Sequence, residues 1–200
     1  SLIDLIIEPL PVLNTPINTY FCIEVGEILN IDLDIEFTDQ ILGEQLPDFF
    51  SVEYFLSISD AESGISTISN ISSTTSLQTI FYKITNNSSY CYDIGEFNIQ
   101  FIDIPTANTV SSYEVCDNNN DGLFTFDTSS LETSVLAGQT NVSVEYTDAL
   151  GNPLQDANGV LITSPFPEIF YTTSQTITAT VFNGICDNDE TQVQFMVNSN

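Results

Sequence analysis

The chain has 200 residues, of which 28 are Asp or Glu, one is basic (Lys83) and none is His, so its formal net charge is −27 at pH 7. Such a chain repels phosphate backbones and anionic lipid surfaces, which excludes nucleic-acid and membrane-surface binding. The lack of His excludes His metal ligands and Ser-His or Cys-His nucleophiles. The 42% hydrophobic content nevertheless predicts a folded protein. No apolar run reaches the ~20 residues of a membrane helix, so membrane insertion is not expected.

The first eleven residues resemble a segment that recurs later in the chain. LIIEPLP ends at Pro11, eleven residues before Cys22, and IQFIDIP ends at Pro105, eleven residues before Cys116. We therefore predict that residues 1–11 are the last strand of a preceding repeat, and that the sequence is a piece of a longer tandem array. The alternative is a donor strand that completes a neighbouring subunit.

Residues 12–105 and 106–200 are predicted to be two copies of one unit. SVEY begins at Ser51 and again at Ser143, 92 residues later, and QTIFYKITN from Gln78 matches QTITATVFN from Gln175, 97 residues later. The order of the matching segments is kept while their offset drifts by a few residues, which indicates tandem domains with loop insertions.

Each unit is predicted to be all-β, an immunoglobulin-like antiparallel β-sandwich. In the second unit, Ile177, Ala179 and Val181 share one face of a predicted strand, and Thr178 and Thr180 share the other. This alternation is typical of antiparallel sheets with one solvated face. One short helix is expected per unit, within FTDQILGE in the first and SSLETSVLAG in the second. A repeat of about 94 residues with many short strands favours the sandwich.

Each unit contains two cysteines, one near its start and one in the turn before its last strand. The equivalent positions predict two disulfides within the units, Cys22–Cys91 and Cys116–Cys186, with buried free thiols as the alternative. Each bond would close a loop of about 70 residues and stabilise its unit by roughly 4 kcal/mol in the entropic model. Disulfides form in oxidising compartments, so we expect an extracellular protein.

The segment after Cys116 predicts a calcium site in the second unit. Its sequence, DNNNDG, fits the first half of an oxygen-ligand calcium loop. The expected ligands are Asp117, Asn119, Asp121, the carbonyl group of Leu123, and Asp127. Thr128 stands at loop position twelve, where a bidentate acid is expected, and the first unit has CIEVGE at the equivalent place. The alternative is an Asx-rich turn without a metal.

Two further kinds of site are possible, and each has ordinary packing or solvation as its alternative. The aromatic residues proposed for a ligand-binding platform are Tyr113, Phe166, Phe170 and Tyr171, with core packing as the alternative. A carboxylate-dependent glycoside hydrolase needs a pair of acids across one site. Glu53 and Glu145 match between the units but lie mid-strand on the polar face, where solvation explains them. No catalytic residue is predicted.

The second unit resembles a repeat of very large secreted surface proteins of gliding and related marine Bacteroidetes (flavobacteria). The resemblance covers residues 113–198 and rests on CDNNNDGLFTFDTSSLETSVLAGQTNVSVEYTDALGNPL, then SPFPEIFYTTSQTITATVFN and a second Cys. FDT at residues 126–128 stands where the family has FDL, and Ala179 or Thr180 stands where it often has Arg. The resemblance implies non-catalytic stalks and adhesins that are exported by the type IX secretion system.

We therefore expect a structural or adhesive segment of an extracellular stalk or filament. The expected partners are neighbouring repeats of the same longer chain, with lateral or head-to-tail self-assembly. A ligand-binding module for a glycan or a cell-surface protein is the alternative function, and a glycoside hydrolase unit is a remote one.

Overall fold

The structure is a computed structural model, and it describes residues 9–199. The chain divides into two compact units, Ser1–Asp103 and Ile104–Asn200. The predicted boundary, between residues 105 and 106, lies two residues from this division. The strand predicted at residues 1–11 lies mostly outside the described residues, and residues 9–11 are not in a strand.

From residue 9 onwards, where the structure describes it, the first unit has six strands and two helices. Their bounds are β1 Tyr20–Ile23, β2 Asn30–Asp32, α1 Leu33–Leu42, β3 Phe50–Phe55, α2 Ile58–Ser63, β4 Asn70–Ser72, β5 Leu77–Asn86 and β6 Tyr92–Asp103. Four strands form one sheet in the order β1-β6-β5-β3, and β2 pairs with β4 in a second sheet. Leu33, Tyr54, Ile80 and Ile99 are among the buried residues of the core.

The second unit repeats this arrangement. Its elements are β7 Tyr113–Asp117, β8 Phe124–Asp127, α3 Leu131–Leu136, β9 Ser143–Thr147, β10 Ile169–Thr172, β11 Gln175–Phe182 and β12 Asp189–Ser199. The larger sheet has the order β7-β12-β11-β9, and β8 pairs with β10. Ile177, Ala179 and Val181 on β11 are fully buried, which confirms the predicted core face. Both units are mostly β and sandwich-like, as predicted.

The first strand of each unit runs parallel to the last strand of the same unit. β1 pairs with β6, placing Cys22 beside Ile102. β7 pairs with β12, placing Cys116 beside Asn198. The other strand pairs of both larger sheets are antiparallel. The sequence did not predict the parallel pairs, and they decide where the cysteines lie.

The first unit contains one helix more than predicted. Helix α1 includes the predicted FTDQIL segment, but α2 follows β3 and has no predicted counterpart. The Oγ of Ser57 accepts a hydrogen bond from the backbone N–H of Asp60 at 3.1 Å, and Gly64 ends the helix with a φ of 67°. Both are ordinary helix-end signals. The prediction of a single helix per unit was therefore wrong for the first unit. None of the described helices is both long and apolar enough to cross a membrane.

A glutamine fastens the entry segment of each unit to the end of its helix. Gln45 accepts a hydrogen bond from the backbone N–H of Val12 and donates to the Val12 carbonyl oxygen, both at 2.8 Å. Gln139 makes the same pair of bonds with Thr106, at 2.9 and 2.6 Å. These two residues are 94 positions apart, so the contact belongs to the repeat itself.

Candidate functional site

The two cysteines of the first unit lie at opposite ends of strand β6. Cys22 on β1 is beside Ile102, near the end of β6, whereas Cys91 directly precedes Tyr92, where β6 begins. Ten residues of strand separate Tyr92 from Ile102, which is about 33 Å at the usual rise per residue. A disulfide joins Cα atoms no more than about 7 Å apart.

The second unit separates its cysteines in the same way. Cys116 on β7 is beside Asn198, and Cys186 lies in the turn before β12, which begins at Asp189. Nine residues of strand, about 30 Å, separate Asp189 from Asn198. Because the first and last strands point in the same direction, the two cysteines of a unit cannot meet.

The predicted pairs Cys22–Cys91 and Cys116–Cys186 are therefore wrong. Cys91 and Cys116 are exposed free thiols. Cys22 and Cys186 are each disulfide-bonded. The spacing along the sequence was equal in both units, but it contained no information on the direction of the first strand.

An asparagine shapes the turn that holds the second cysteine of each unit. The Oδ1 of Asn86, which is 2% exposed, accepts a hydrogen bond from the backbone N–H of Ser89 at 3.1 Å, and the Asn86 N–H donates to the Cys91 carbonyl oxygen. The Oδ1 of Asn183 accepts directly from the Cys186 N–H at 2.9 Å. Asx turns of this kind fix the backbone locally, so the position of each sulfur is set by its own turn.

Apolar side chains surround the turn at Cys91. Phe49 is 55% exposed, and the two neighbours of the cysteine, Tyr90 and Tyr92, are 78% and 49% exposed. The Nζ of Lys83 lies 4.0 Å from the centroid of the Tyr92 ring, a cation–π contact. A cavity of about 260 Å³ opens beside the turn, lined by Pro9, Phe49, Phe50, Asn86 and Ser88.

The Asp117 side chain closes the acidic loop that follows Cys116. It is 3% exposed. Its Oδ1 accepts hydrogen bonds from the backbone N–H groups of Asn119 (3.1 Å) and Asn120 (2.8 Å), and its Oδ2 accepts from that of Gly122 (2.7 Å). The loop is thus an Asx turn. Both carboxylate oxygens of Asp117, one of the predicted calcium ligands, already accept hydrogen bonds from the loop backbone.

The other predicted ligands are divided between two places. Asp121 accepts hydrogen bonds from the side chain of Asn119 at 2.8 Å and from the backbone N–H of Leu123 at 2.9 Å. Asp127 bonds instead to Ser129, which lowers the pKa of its carboxyl. Among the described residues, no group of three or more His, Cys, Asp or Glu side chains is placed to hold a metal ion. The calcium site stays a prediction, which a melting experiment would test.

The four aromatic candidates do not form one surface. Phe166 and Phe170 are buried in the core of the second unit. Tyr113 stacks on the core residue Phe195, with the ring centroids 5.0 Å apart. Tyr171, which is half-buried, lines a groove of about 410 Å³ beside the Asp117 loop.

The matched acids Glu53 and Glu145 are exposed on strands β3 and β9. Glu53 pairs across the sheet with Lys83, and Glu145 pairs with Thr180. Each therefore has a solvated position on an open sheet face, as the polar alternation of these strands requires.

Comparison with known proteins identifies the same duplication. The family model described as "Flavobacterium inter-domain disulphide bond domain" matches residues 18–105 and again 112–200. Comparison with curated proteins finds no match.

Several solved structures are similar to this chain. One contains Dpr2 Ig1-Ig2 in complex with DIP-Theta Ig1-Ig3 (7% identity, TM-score 0.34), and the similarity covers 93% of this chain and 65% of that one. Another contains the three N-terminal domains of the bacteriophage RB49 highly immunogenic outer capsid protein, Hoc (11% identity, TM-score 0.37). The similarity covers 93% of this chain and 69% of that one. A third is a SusE-like surface-located polysaccharide-binding protein of Bacteroides thetaiotaomicron (10% identity, TM-score 0.26). The similarity covers 93% of this chain and 34% of that one.

Proposed function

This chain belongs to the Flavobacterium inter-domain disulphide bond domain family, with one member in each unit, and on that premise we propose that it is a non-catalytic segment of an extracellular tandem-repeat stalk. Its units serve as spacers that are joined by a disulfide as well as by the polypeptide chain. Disulfides persist in oxidising surroundings, which supports a location outside the cytoplasm. The net charge of −27 keeps neighbouring stalks apart and soluble.

The state of the cysteines carries this proposal. The sequence has four cysteines, of which Cys91 and Cys116 are free thiols and Cys22 and Cys186 are disulfide-bonded. We infer that the bond joins Cys22 of the first unit to Cys186 of the second. The family description names a disulfide between domains, and the separation of about 30 Å within each unit leaves no partner inside it.

Such a bond would limit how far the chain can be stretched. It closes a loop of 164 residues, from position 22 to position 186. When the chain is pulled from its two ends, those residues are outside the path of the force. Reduction would add up to roughly 550 Å of extended chain, because each residue spans about 3.4 Å.

Two measurements test the proposed function. Peptide mapping of the unreduced protein should recover a fragment that joins Cys22 to Cys186. Force spectroscopy should show short extensions for the oxidised chain and long extensions after reduction, and Cys22→Ser should resemble the reduced chain without any reductant. A fragment joining Cys22 to a different cysteine, or equal extensions in both states, would contradict the proposal.

A second candidate function is ligand binding at the groove beside the Asp117 loop. Phe124 and Tyr171 line this groove together with Asp121 and Asn119, a mixture of aromatic and polar groups that suits a glycan. A glycan array would detect such binding, and Tyr171→Ala would weaken it. Binding that is unchanged in this variant would place the ligand elsewhere.

A further inference from the structure

We propose that Asn183 is a self-modification site, at which the side-chain amide is lost and the residue becomes isoaspartate or aspartate. Asn183 is followed by Gly184, and it shapes the turn that holds the disulfide-bonded Cys186. The reactants are the chain itself and water. The reaction lies outside the proposed function, and it takes the same course whichever cysteine is bonded to Cys186.

The reaction begins at the backbone nitrogen of Gly184. After giving its proton to hydroxide, this nitrogen attacks Cγ of Asn183 and the Cγ–Nδ2 bond breaks. The amide nitrogen takes up a proton from water and leaves as ammonia, and a five-membered imide remains. Water then opens the imide, at Cγ to give aspartate or at the backbone carbonyl to give isoaspartate. One water is consumed and one ammonia is released, so nothing is oxidised or reduced.

The turn brings the two reacting atoms towards each other. The Oδ1 of Asn183 accepts hydrogen bonds from the backbone N–H groups of Ile185 at 3.0 Å and Cys186 at 2.9 Å. Each bond closes a ring of atoms that also contains the Gly184 nitrogen. The side-chain carbonyl is therefore folded back over the backbone, with Cγ on the side of the nitrogen that attacks it.

The same two donors stabilise the charge that develops during the attack. Negative charge accumulates on Oδ1 as the nitrogen adds to Cγ, and N–H groups that already point at this oxygen need no rearrangement. Asn183 is half-buried, which strengthens the interaction between these donors and the charge. Gly184 is exposed, so water has access to the imide.

The turn itself favours the glycine that makes the pair reactive. Gly184 has a φ of 77°, in the left-handed region, although a Cβ atom at this position would meet nothing within 4 Å. The backbone conformation, rather than a lack of space, therefore selects glycine here. Because glycine has no side chain, its nitrogen is also left uncrowded for the attack. The reactivity of Asn183 is thus built into the turn.

The equivalent turn of the first unit has the same side-chain hydrogen bonds without the glycine. The Oδ1 of Asn86 accepts from the N–H groups of Ser88 at 2.8 Å and Ser89 at 3.1 Å. The residue that follows is Asn87, whose N–H donates to the carbonyl oxygen of Phe49 at 2.8 Å. Its side chain crowds the nitrogen, and the bond to Phe49 directs the proton elsewhere. Asn86 should therefore keep its amide.

The other Asn-Gly pair of the chain, Asn158 and Gly159, has the opposite kind of contacts. The Gly159 N–H donates to the carbonyl oxygen of Asp156 at 3.0 Å, and the Nδ2 of Asn158 donates to the Asp156 carboxylate at 3.2 Å. These bonds occupy both reacting groups, and the carboxylate repels the negative charge that an attack creates. Gly159 has a φ of 79°, close to that of Gly184. The two pairs thus differ in their contacts rather than in their sequence or their glycine.

Conversion changes the turn that positions Cys186. Both products carry a carboxylate where the protein had a neutral amide. In isoaspartate the main chain runs through the former side chain and gains one CH2 group, so the spacing between Asn183 and Gly184 increases. Neither product returns to the amide in water, so the converted fraction rises with the age of the chain.

Ageing of the full chain in mildly alkaline buffer tests this reaction. Samples are reduced, digested with pepsin and analysed by liquid chromatography and mass spectrometry for conversion at Asn86, Asn158 and Asn183. Asn183 should convert about tenfold faster than Asn158, the effect of roughly one further hydrogen bond on a charged oxygen, and Asn86 should not convert. In reduced chain unfolded in urea, where the turns are lost, Asn158 and Asn183 should convert at similar rates.

Two variants complete the experiment. Asn183→Gln should not convert, because closure would need a six-membered ring, and Asn183→Asp supplies the aspartate product as a reference that separates it from isoaspartate. Conversion at Asn158 should be the same in both variants as in the unsubstituted chain. If Asn158 converts as fast as Asn183 in the folded chain, or if Asn86 converts as well, the turn does not direct the reaction and the proposal is wrong. An Asn183 that keeps its amide while Asn158 loses its own would overturn it too.

Discussion

The ring of Tyr82 on β5 lies across Gly95, its direct neighbour on β6. A Cβ atom at position 95 would lie 2.7 Å from the Cε1 atom of Tyr82 and closer still to the end of the ring. The hydroxyl group reaches past the glycine and donates to the carbonyl oxygen of Asn14 at 3.0 Å. In the second unit the equivalent neighbours are Ala179 on β11 and Thr191 on β12. The larger side chain of that pair is therefore on the last strand, whereas in the first unit it is on β5.

Replacement of this glycine should destabilise the first unit. Gly95→Ala forces the Tyr82 ring to move and breaks its bond to Asn14, so we expect the free energy of unfolding to fall by about 1–3 kcal/mol. Urea unfolding of the full chain measures the change. Glu96→Ala, an exposed neighbour on the same strand, is the control. Equal midpoints for the two variants would contradict the prediction.

Loss of the entry-segment glutamines should weaken each unit separately. Gln45→Ala removes two hydrogen bonds to Val12, and Gln139→Ala removes two to Thr106. We expect each variant to cost about 1–2 kcal/mol in the unit that carries it, since backbone groups lose their partners. Gln192→Ala, on an exposed strand position, should leave both units unchanged. Hydrogen exchange at each entry segment would show which unit has been loosened.

Glu132 on α3 organises one side of the second unit. Its carboxylate accepts hydrogen bonds from the hydroxyl of Tyr146 (3.0 Å), from the hydroxyl of Ser164 (2.7 Å) and from the backbone N–H of Phe166 (2.6 Å). Glu132→Ala leaves these donors without their acceptor, and we expect a loss of roughly 1–3 kcal/mol. Glu145→Ala is the matched control, and thermal unfolding that is identical for both would refute the assigned role.

The protein should lose stability in alkali. Burial raises the pKa values of Tyr54 and Tyr146, and the nearby charge of Glu132 adds to the effect at Tyr146. The folded state thus favours the neutral phenol, so the stabilisation is complete below the ordinary tyrosine pKa of about 10 and is lost as the pH rises above it. Unfolding midpoints between pH 8 and pH 11 measure this trend. A flat profile would show that neither phenol titrates differently on unfolding.

Calcium should raise the melting temperature if the loop after Cys116 binds it as predicted. A ligand at 100 times its dissociation constant adds about 2.7 kcal/mol. Melts in millimolar calcium and in chelator test this, with magnesium as the control for specificity. Asp121→Asn should abolish the shift, because it removes a predicted ligand charge. Superimposed melts would leave the loop as a turn closed by Asp117.

The sequence was sufficient to predict the sandwich because alternation and repetition are local patterns. The alternation of apolar and polar residues was enough to predict that Ile177, Ala179 and Val181 are buried. The segment SSLETSVLAG, predicted to be helical, contains helix α3. Helix α2 could also have been predicted from the sequence, because Ser57 and Gly64 are ordinary helix-end residues.

The direction of the first strand could not be predicted in the same way. Strand β1 is only four residues long, and side-chain alternation is the same whichever way a strand runs. Its partner lies about 80 residues away along the chain, at Gln100–Asp103. The disulfide pairs depend on this long-range fact, so equal spacing of cysteines in both units led to the wrong pairs.

The parallel pairing of first and last strands has a mechanical consequence for each sandwich. In the reduced chain, tension enters a unit at the start of its first strand and leaves at the end of its last strand, which are opposite ends of one ladder. The ladder is therefore loaded in shear, so that all of its hydrogen bonds resist together, whereas an antiparallel pair of terminal strands would open like a zipper, one bond at a time. The ladder spans four residue pairs in the first unit and five in the second. Under load, the first unit of the reduced chain should yield before the second.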